Sequence, residues 1–177
     1  MLTAMPVTAT SITGLFIVDG DSHVDDRGFF RESYRLDELE RAVGRPVDFR
    51  QANHSRSAPG VLRGFHVEPW DKLVYVVRGT AFCVVVDARP ASATFGATES
   101  FLLGDEPGRR RRLFIAEGLG NAFQAVTETD YVNEVSKEFS SNSRWGVAWD
   151  DPSLEVDWPV LPPTLSATDA AHPPLSR

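Results

Sequence analysis

Short apolar segments separated by turn residues recur along this chain, and they constrain its fold more than any other feature. They include SITGLFIVDG, GFFRESY, KLVYVVRG, TAFCVVVDAR and YVNEVSKEF, which are bounded by glycine, proline, aspartate or asparagine. Apolar residues that alternate with polar ones, or that form short continuous runs, are typical of β-strands. Many short strands with tight connections predict an all-β fold, an antiparallel sandwich or jelly-roll barrel, whose mouth can hold a functional site.

One segment has helical periodicity instead. In RLDELERAVG the apolar residues Leu36, Leu39 and Val43 recur at helical spacing, and Gly44 marks the end of the helix. We therefore expect one or two short helices beside the strands. A chain of 177 residues is the size of a single domain, so we expect residues 1–177 to form one. From residue 152 the sequence is rich in proline and small residues, a composition typical of a flexible tail.

Charge and cysteine content narrow the class of protein. The net charge of -7 and the pI of about 5.1 argue against nonspecific binding to nucleic acid, which needs excess positive charge. Cys83 is the only cysteine, so the chain has no internal disulfide and fits a reducing compartment. The first residues lack the pattern of a signal peptide, and no apolar run reaches the length of a membrane span. We expect a cytoplasmic protein that binds neither nucleic acid nor membrane.

The run GRRRRL contains the densest positive charge in the chain. Strand alternation would place Arg110 and Arg112 on one face and Arg109 and Arg111 on the other, so only one pair could face a ligand. Runs of charge more often form a solvated turn.

The stretch VLRGFHVEPWDKLVYVVRG holds the first candidate for chemistry. A regular strand would place Leu62, Gly64, His66 and Glu68 on one face, and Lys72 opens the next strand. An imidazole can accept a proton near neutral pH, and an ammonium group can stabilise the oxygen of an enolate. The pair fits removal of a proton beside a carbonyl group. The alternative is an imidazole satisfied inside the barrel.

A metal site is the competing interpretation, because barrels of the cupin type often hold a metal through several histidines and a carboxylate. Here the candidate motif is His66-x-Glu68 with a single imidazole, and Asn121 stands where another could be. One imidazole and one carboxylate are a poor ligand set for zinc or iron. We expect no metal and no other cofactor.

Several motifs follow one another in a familiar order: DDRGFFRESY, FRQANHSRSAPGVLRGFH, KLVYVVRGTAFCVVVDAR, ATFGATESFLL, WDDPSLEVDWP and LSATDA. From about residue 15 to residue 169 the chain resembles the dTDP-4-dehydrorhamnose 3,5-epimerase family. The resemblance implies a cupin-type jelly roll, a homodimer and no metal. It also implies a thymidine-diphosphate 4-keto-6-deoxyhexose as substrate, in which the C4 ketone acidifies the protons of C3 and C5.

The resemblance also implies roles for individual residues. His66 matches the base, and Asp169 of LSATDA matches its carboxylate partner, so that the tail (160–177) would pack back on the site. Lys72 matches the residue that stabilises the enolate. Further matches to residues that contact the nucleotide or line the pocket are Arg27, Glu32, Gln51, Asn53 and Arg63.

The sequence departs from the family pattern where the chemistry is expected. Asn133 stands at the position of a tyrosine acid, Asn121 replaces a histidine, Cys83 an aspartate and Glu68 a glutamine. An asparagine cannot supply a proton. Tyr131, on the same strand face, is a candidate replacement acid, and water is another. We group Tyr131 and Asn133 with the catalytic residues and the other three with the substrate-binding residues.

Three functions are compatible with this pattern. The first is a sugar-nucleotide epimerase that inverts C3, C5 or both. The second is an enzyme of specialised metabolism on the same fold that catalyses another proton transfer, an elimination, a ring opening or a cyclisation. The third is a homologue without catalytic activity, since a fold alone does not define a function.

Overall fold

A computed structural model describes residues 5–139 and 145–176, and most of its regular structure is β-sheet. The strands are β1 (Val7–Ala9), β2 (Leu15–Val18), β3 (His23–Asp25), β4 (Gly28–Phe30), β5 (Gln51–Ser57), β6 (Leu62–Val67), β7 (Lys72–Arg78), β8 (Thr80–Asp87), β9 (Thr98–Gly104), β10 (Arg112–Ile115), β11 (Leu119–Ala125), β12 (Thr129–Val135) and β13 (Trp145–Gly146). Helices α1 (Leu36–Val43) and α2 (Ala167–Ala170) accompany them, with a 3₁₀ turn at Pro152–Leu154.

The strands form two antiparallel sheets and a separate hairpin. One sheet has six strands in the order β1-β2-β10-β7-β12-β5, and the other has five in the order β13-β6-β11-β8-β9. Among the described residues, strands β3 and β4 pair only with each other. The predicted all-β jelly roll is confirmed. The segment GFFRESY is strand only over its first three residues, so the strand predicted there is shorter than expected.

Both faces of several strands are buried, which explains why they read as continuous apolar runs. On β8, Cys83 and Val85 belong to the cluster between the two sheets. Val84 and Val86 belong to a second cluster, which includes Trp158 of the C-terminal segment (residues 149–176). The C-terminal segment therefore covers the outer face of the five-stranded sheet.

Helix α1 covers the outer face of the other sheet. Its Leu39 is fully buried and packs with Val18 of β2 and Phe114 of β10. Gly44 ends the helix in the left-handed conformation, with φ at 80°, and its N–H donates to the carbonyl of Glu40. The helix and its glycine cap lie where the sequence predicted them. No helix among the described residues is long and apolar enough to cross a membrane.

Strand β6 does not alternate as its sequence predicts. Arg63 pairs with Phe123 and His66 pairs with Asn121, so two residues of β6 face only Ala122 on β11. This register shift is a β-bulge, and it changes which side chains share a face. Arg63 and His66 both face the space between the sheets. The expectation that Leu62 and Gly64 share a face with His66 is therefore wrong: Leu62 packs under the C-terminal segment.

The bulge depends on Gly64. Its φ of +117° is unfavourable for other residues, and a Cβ there would lie 2.5 Å from the carbonyl oxygen of Asn121. We expect Gly64→Ala to lower the free energy of unfolding by roughly 2–5 kcal/mol in a urea titration. Gly96→Ala is the matched control, because φ is also positive there (+82°) but the space is open. It should cost only about 1 kcal/mol. Equal losses in the two variants would contradict the role assigned to the bulge.

The C-terminal segment is hydrogen-bonded to the five-stranded sheet, in contrast to the flexible tail that its composition suggests. The N–H of Leu62 donates to the carbonyl of Thr164 at 2.9 Å. The side chain of Gln124 exchanges two hydrogen bonds with the backbone of Val160. Farther along, the N–H of Ala148 donates to the carbonyl of Pro173. These contacts carry α2 to the edge of the cavity described next.

Candidate active site

A cavity of about 140 Å³ lies between the two sheets. Strands β5 and β12 form one wall and strands β6 and β11 the other. The lining residues are Asn53, His54, Ser55, Arg63, His66, Asn121, Phe123, Tyr131 and Asn133. A larger cleft, of about 620 Å³, lies along the C-terminal segment. Its lining holds tryptophans and carboxylates but no histidine or lysine, so it offers no base beside a cation.

His66 and Asp169 are in direct contact at the smaller cavity. Nε2 of His66 lies 2.7 Å from Oδ1 of Asp169, which is almost fully buried. Asp169 is in helix α2, where its N–H donates to the hydroxyl of Ser166, the helix N-cap. The sequence placed these two residues 103 positions apart, and the fold of the C-terminal segment brings them together.

The electrostatics of the pair favour an ionised carboxylate. Burial raises the pKa of Asp169, but the hydrogen bond and charge of His66, the Ser166 hydroxyl and the charge of His172 outweigh it. The pKa of Asp169 therefore lies below its usual value. An ionised carboxylate only accepts hydrogen bonds, so Nε2 of His66 donates. Nδ1 remains as the nitrogen of the neutral ring that can take a proton.

Lys72, the first residue of β7, does not line the cavity. Its ammonium group is almost completely buried, 3.0 Å from Oε2 of Glu68 and 3.2 Å from the carbonyl oxygen of His66. Burial lowers the pKa of Lys72, and the charge and hydrogen bond of Glu68 oppose that shift. Neither Lys72 nor Glu68 is among the residues that line the cavity, although the sequence assigned both to the site.

Tyr131 closes the floor of the cavity. Its hydroxyl donates to Oδ1 of Asn121 at 3.3 Å, and its ring is stacked on Phe123 with 4.0 Å between the centroids. Burial raises the pKa of Tyr131 well above its usual value. Cys83 belongs to the apolar core behind Tyr131, and burial raises the pKa of its thiol. The placement of Cys83 among the substrate-binding residues is therefore not supported, because its side chain is fully buried.

Two asparagines face each other across paired strands in the wall opposite His66. Asn133 of β12 pairs with Asn53 of β5. Gln51 donates to the side-chain oxygen of Asn53 at 2.5 Å. Oδ1 of Asn133 is buried, and no described residue donates a hydrogen bond to it.

Arg63 lines the cavity, and its Nε donates to the hydroxyl of Ser57 at 3.1 Å. Arg27 and Glu32, which the sequence also assigned to the site, lie elsewhere. Arg27 is exposed in the turn between β3 and β4 and pairs with Asp25. Glu32 pairs with Arg35. One copy of the chain thus does not bring Arg27 or Glu32 to its own cavity.

The arginine run does not reach the cavity either. Only Arg112 is in a strand and buried, with its guanidinium 4.6 Å from the centre of the Tyr75 ring. Arg110 lies over the ring of Phe29. The two arginines that alternation placed on the other face, Arg109 and Arg111, form ion pairs at the surface.

His172 is a residue that sequence reasoning missed. Its ring is edge-on to His66, with 5.9 Å between the centroids and an interplanar angle of 84°. A Cβ at Gly146, which pairs with His66, would lie 2.2 Å from this ring, so only glycine leaves room for it. The sequence signal for His172 is its position three residues after Asp169, in a chain with only four histidines, and the sequence analysis did not use it. Within the described residues, no group of three or more His, Cys, Asp or Glu side chains is arranged to hold a metal ion.

Comparison with known proteins places this geometry in a family. The family model described as dTDP-4-dehydrorhamnose 3,5-epimerase matches residues 9–177. The dTDP-4-dehydrorhamnose 3,5-epimerase of Shigella flexneri is 40% identical over 170 residues, which cover 93% of each chain.

Solved structures agree with the sequence match. NovW, a 4-keto-6-deoxy sugar epimerase from the novobiocin gene cluster of Streptomyces spheroides, superposes with a TM-score of 0.92 at 34% identity, covering 98% of this chain and 88% of NovW. The dTDP-6-deoxy-D-glucose-3,5-epimerase of Legionella pneumophila, in complex with dTDP-4-keto-L-rhamnose, gives a TM-score of 0.90 at 34% identity, covering 97% and 93%. The chain therefore belongs to the dTDP-4-dehydrorhamnose 3,5-epimerase family.

Proposed function

We propose that this sugar-nucleotide epimerase acts on a dTDP-4-keto-6-deoxyhexose and inverts a carbon next to the C4 ketone. The contact between His66 and Asp169 at the cavity is the observation that carries the proposal. The ligand of the Legionella pneumophila relative supports the substrate class. The two other functions compatible with the sequence, another reaction on the same fold and a homologue without activity, are not favoured by these relatives.

In this mechanism His66 is the base. Nδ1 takes the proton from the carbon beside the ketone, the electron pair of the C–H bond forms the enolate, and negative charge collects on the C4 oxygen. Ionised Asp169 stabilises the imidazolium that results, as a buried carboxylate does in other histidine dyads. A proton delivered to the opposite face of the same carbon restores the ketone with inverted configuration. His66 then loses its proton to solvent, which completes the cycle.

Lys72 has an indirect role in this scheme. Its ammonium group contacts the backbone carbonyl of His66 and the carboxylate of Glu68. We therefore assign Lys72 as a positioning residue for β6 at His66. Removing one partner of a buried ion pair is strongly unfavourable, so Glu68 keeps Lys72 in place.

Water is the better candidate for the donor to the opposite face. The Tyr131 hydroxyl is buried and already donates to Asn121, and its raised pKa makes it a weaker acid. We expect Tyr131→Phe to retain the initial rate of epimerisation within about threefold, whereas loss of a positioned acid costs about 100- to 10,000-fold. Tyr75→Phe is the matched control, because its hydroxyl contacts Glu134 outside the cavity lining. A loss of 100-fold or more in Tyr131→Phe alone would make Tyr131 the acid.

We infer a homodimer from the β3–β4 hairpin. Val24, Phe29 and Phe30 are exposed there, and clustered apolar side chains on a surface are typical of an interface. A second copy would also explain why Arg27 lies away from its own cavity. Phe30→Glu should shift the mass measured by light scattering from dimer to monomer. Leu161→Glu is the control, since Leu161 is equally exposed (67%) but lies on the C-terminal segment. A dimer that persists in Phe30→Glu would contradict this interface.

A cytoplasmic location is supported by the single, unpaired cysteine. The reaction itself is tested by incubating the protein with dTDP-4-keto-6-deoxy-D-glucose and determining the configuration of the product by NMR. We expect inversion at C3, at C5 or at both. Recovery of unchanged sugar, from protein shown to be folded by circular dichroism, would contradict the proposed function.

A further inference from the structure

Asn133 has an unusual position for a residue that cannot transfer a proton. It lies in the wall opposite His66, so a sugar ring in the cavity would have one face toward each of them. Its Oδ1 atom is buried and receives no hydrogen bond from any described residue. Buried polar atoms in proteins are almost always paired, and an exception inside a cavity indicates a partner on the ligand.

The polar neighbours of Asn133 are already engaged. The side-chain amide of Gln51 donates to Asn53, which is the cross-strand partner of Asn133. The hydroxyl of Tyr131, two residues away on β12, donates to Asn121. The guanidinium of Arg63 donates to Ser57. Asn133 thus lines the cavity with a carbonyl oxygen that has no partner among the described residues, while Gln51, Tyr131 and Nε of Arg63 donate to other groups.

We infer that Asn133 determines substrate specificity: its Oδ1 accepts a hydrogen bond from a ring hydroxyl of the hexose. The inference rests on the proposed substrate class. In a dTDP-4-keto-6-deoxyhexose, C1 carries the diphosphate, C4 is a ketone, the C5 oxygen closes the ring and C6 is a methyl group. Only the hydroxyls of C2 and C3 can donate. Asn133 therefore recognises one of these two hydroxyls. The C3 hydroxyl is attached to one of the carbons next to the ketone, and the C2 hydroxyl is attached to the carbon beside it.

This assignment separates binding from proton transfer at the wall opposite His66. A neutral amide holds the ring by accepting a hydrogen bond, and it neither gives nor takes the proton that is exchanged. A site built to pair with a hydroxyl discriminates strongly against an analogue that lacks it, because the protein oxygen is then left buried and unpaired. Asn133 should therefore distinguish a sugar from its deoxy analogue and should have little effect on the base.

The test uses ligands that bind without reacting. Affinities for dTDP-6-deoxy-D-glucose and for its 2-deoxy and 3-deoxy analogues are measured by calorimetry; the C4 hydroxyl is common to all three and cancels in the comparison. The wild-type protein should bind the parent roughly 10- to 100-fold more tightly than one of the two analogues. Asn133→Leu should reduce this preference to less than about threefold, and Asn133→Asp, which keeps an acceptor, should retain it.

Each outcome decides between the two proposals. Equal affinity of the wild-type protein for all three ligands would overturn the role of Asn133 while leaving the substrate class intact. A preference that survives unchanged in Asn133→Leu would also overturn it. Failure of all three ligands to bind folded wild-type protein would overturn both the inference and the proposed substrate class. The wild-type comparison needs no variant, so poor folding of Asn133→Leu would not prevent a decision.

Discussion

Replacing His66 by asparagine is expected to lower kcat/KM for epimerisation by about 10³- to 10⁴-fold, because His66 is the histidine of the cavity lining that contacts Asp169. Asparagine keeps a side chain of similar polarity, so the variant should fold, which a circular dichroism spectrum checks. The measurement is the initial rate of product formation over a range of substrate concentrations.

His54→Asn is the matched control for this variant. The His54 side chain is largely exposed, and its Nε2 lies 3.0 Å from Asp130, which also pairs with Arg56. His54 also borders the cavity, but its carboxylate partner is Asp130 and not Asp169. We expect less than a threefold change in kcat/KM. A loss in His54→Asn as large as that in His66→Asn would contradict the assignment of the base.

The second large effect is expected for Asp169→Asn, which should lower kcat by about 10²- to 10⁴-fold with a smaller change in KM. An amide can no longer stabilise the imidazolium, and its NH₂ group can favour the wrong tautomer of His66. Asp150→Asn is the control, because Asp150 is an exposed carboxylate of the same C-terminal segment. An Asp169→Asn enzyme with the wild-type kcat would contradict the dyad.

The pH dependence of folding gives an independent measurement on Asp169. Because the folded protein lowers the pKa of this carboxyl, its contribution to stability is complete above the usual aspartate pKa of about 3.9. The contribution is lost as the pH falls through the lower value of the folded state. The difference in free energy of unfolding between wild type and Asp169→Asn should thus shrink as the pH falls below about 4. A difference that grew below this pH would contradict this sign.

Local patterns in the sequence were sufficient for the fold. The helix over Leu36–Val43 was predicted because its periodicity and its glycine cap are local signals. The side-chain alternation predicted for strand β6 was wrong. Its bulge arises where Gly64 meets the backbone of Asn121, a residue 57 positions away, and strand alternation cannot include that contact. Strand alternation predicted Leu62 on the face of His66, whereas the structure has Arg63 there.

The site was harder to predict than the fold, because its contacts join distant segments. Composition alone suggested a free C-terminal tail, and only the family resemblance pointed to Asp169. Lys72 and Glu68 are four residues apart, and the sequence could not tell that they neutralise each other away from the cavity. His172 was missed because its role depends on the space above Gly146, which only the packed structure defines.

Removal of a carbon-bound proton by His66 is tested most directly by exchange with solvent. Wild-type protein and His66→Asn are incubated with dTDP-4-keto-6-deoxy-D-glucose in D₂O, and deuterium at C3 and C5 is followed by NMR. The wild-type protein should incorporate deuterium at one or both carbons, and His66→Asn should not exceed the rate without protein. Exchange by His66→Asn at the wild-type rate would show that another group breaks the C–H bond.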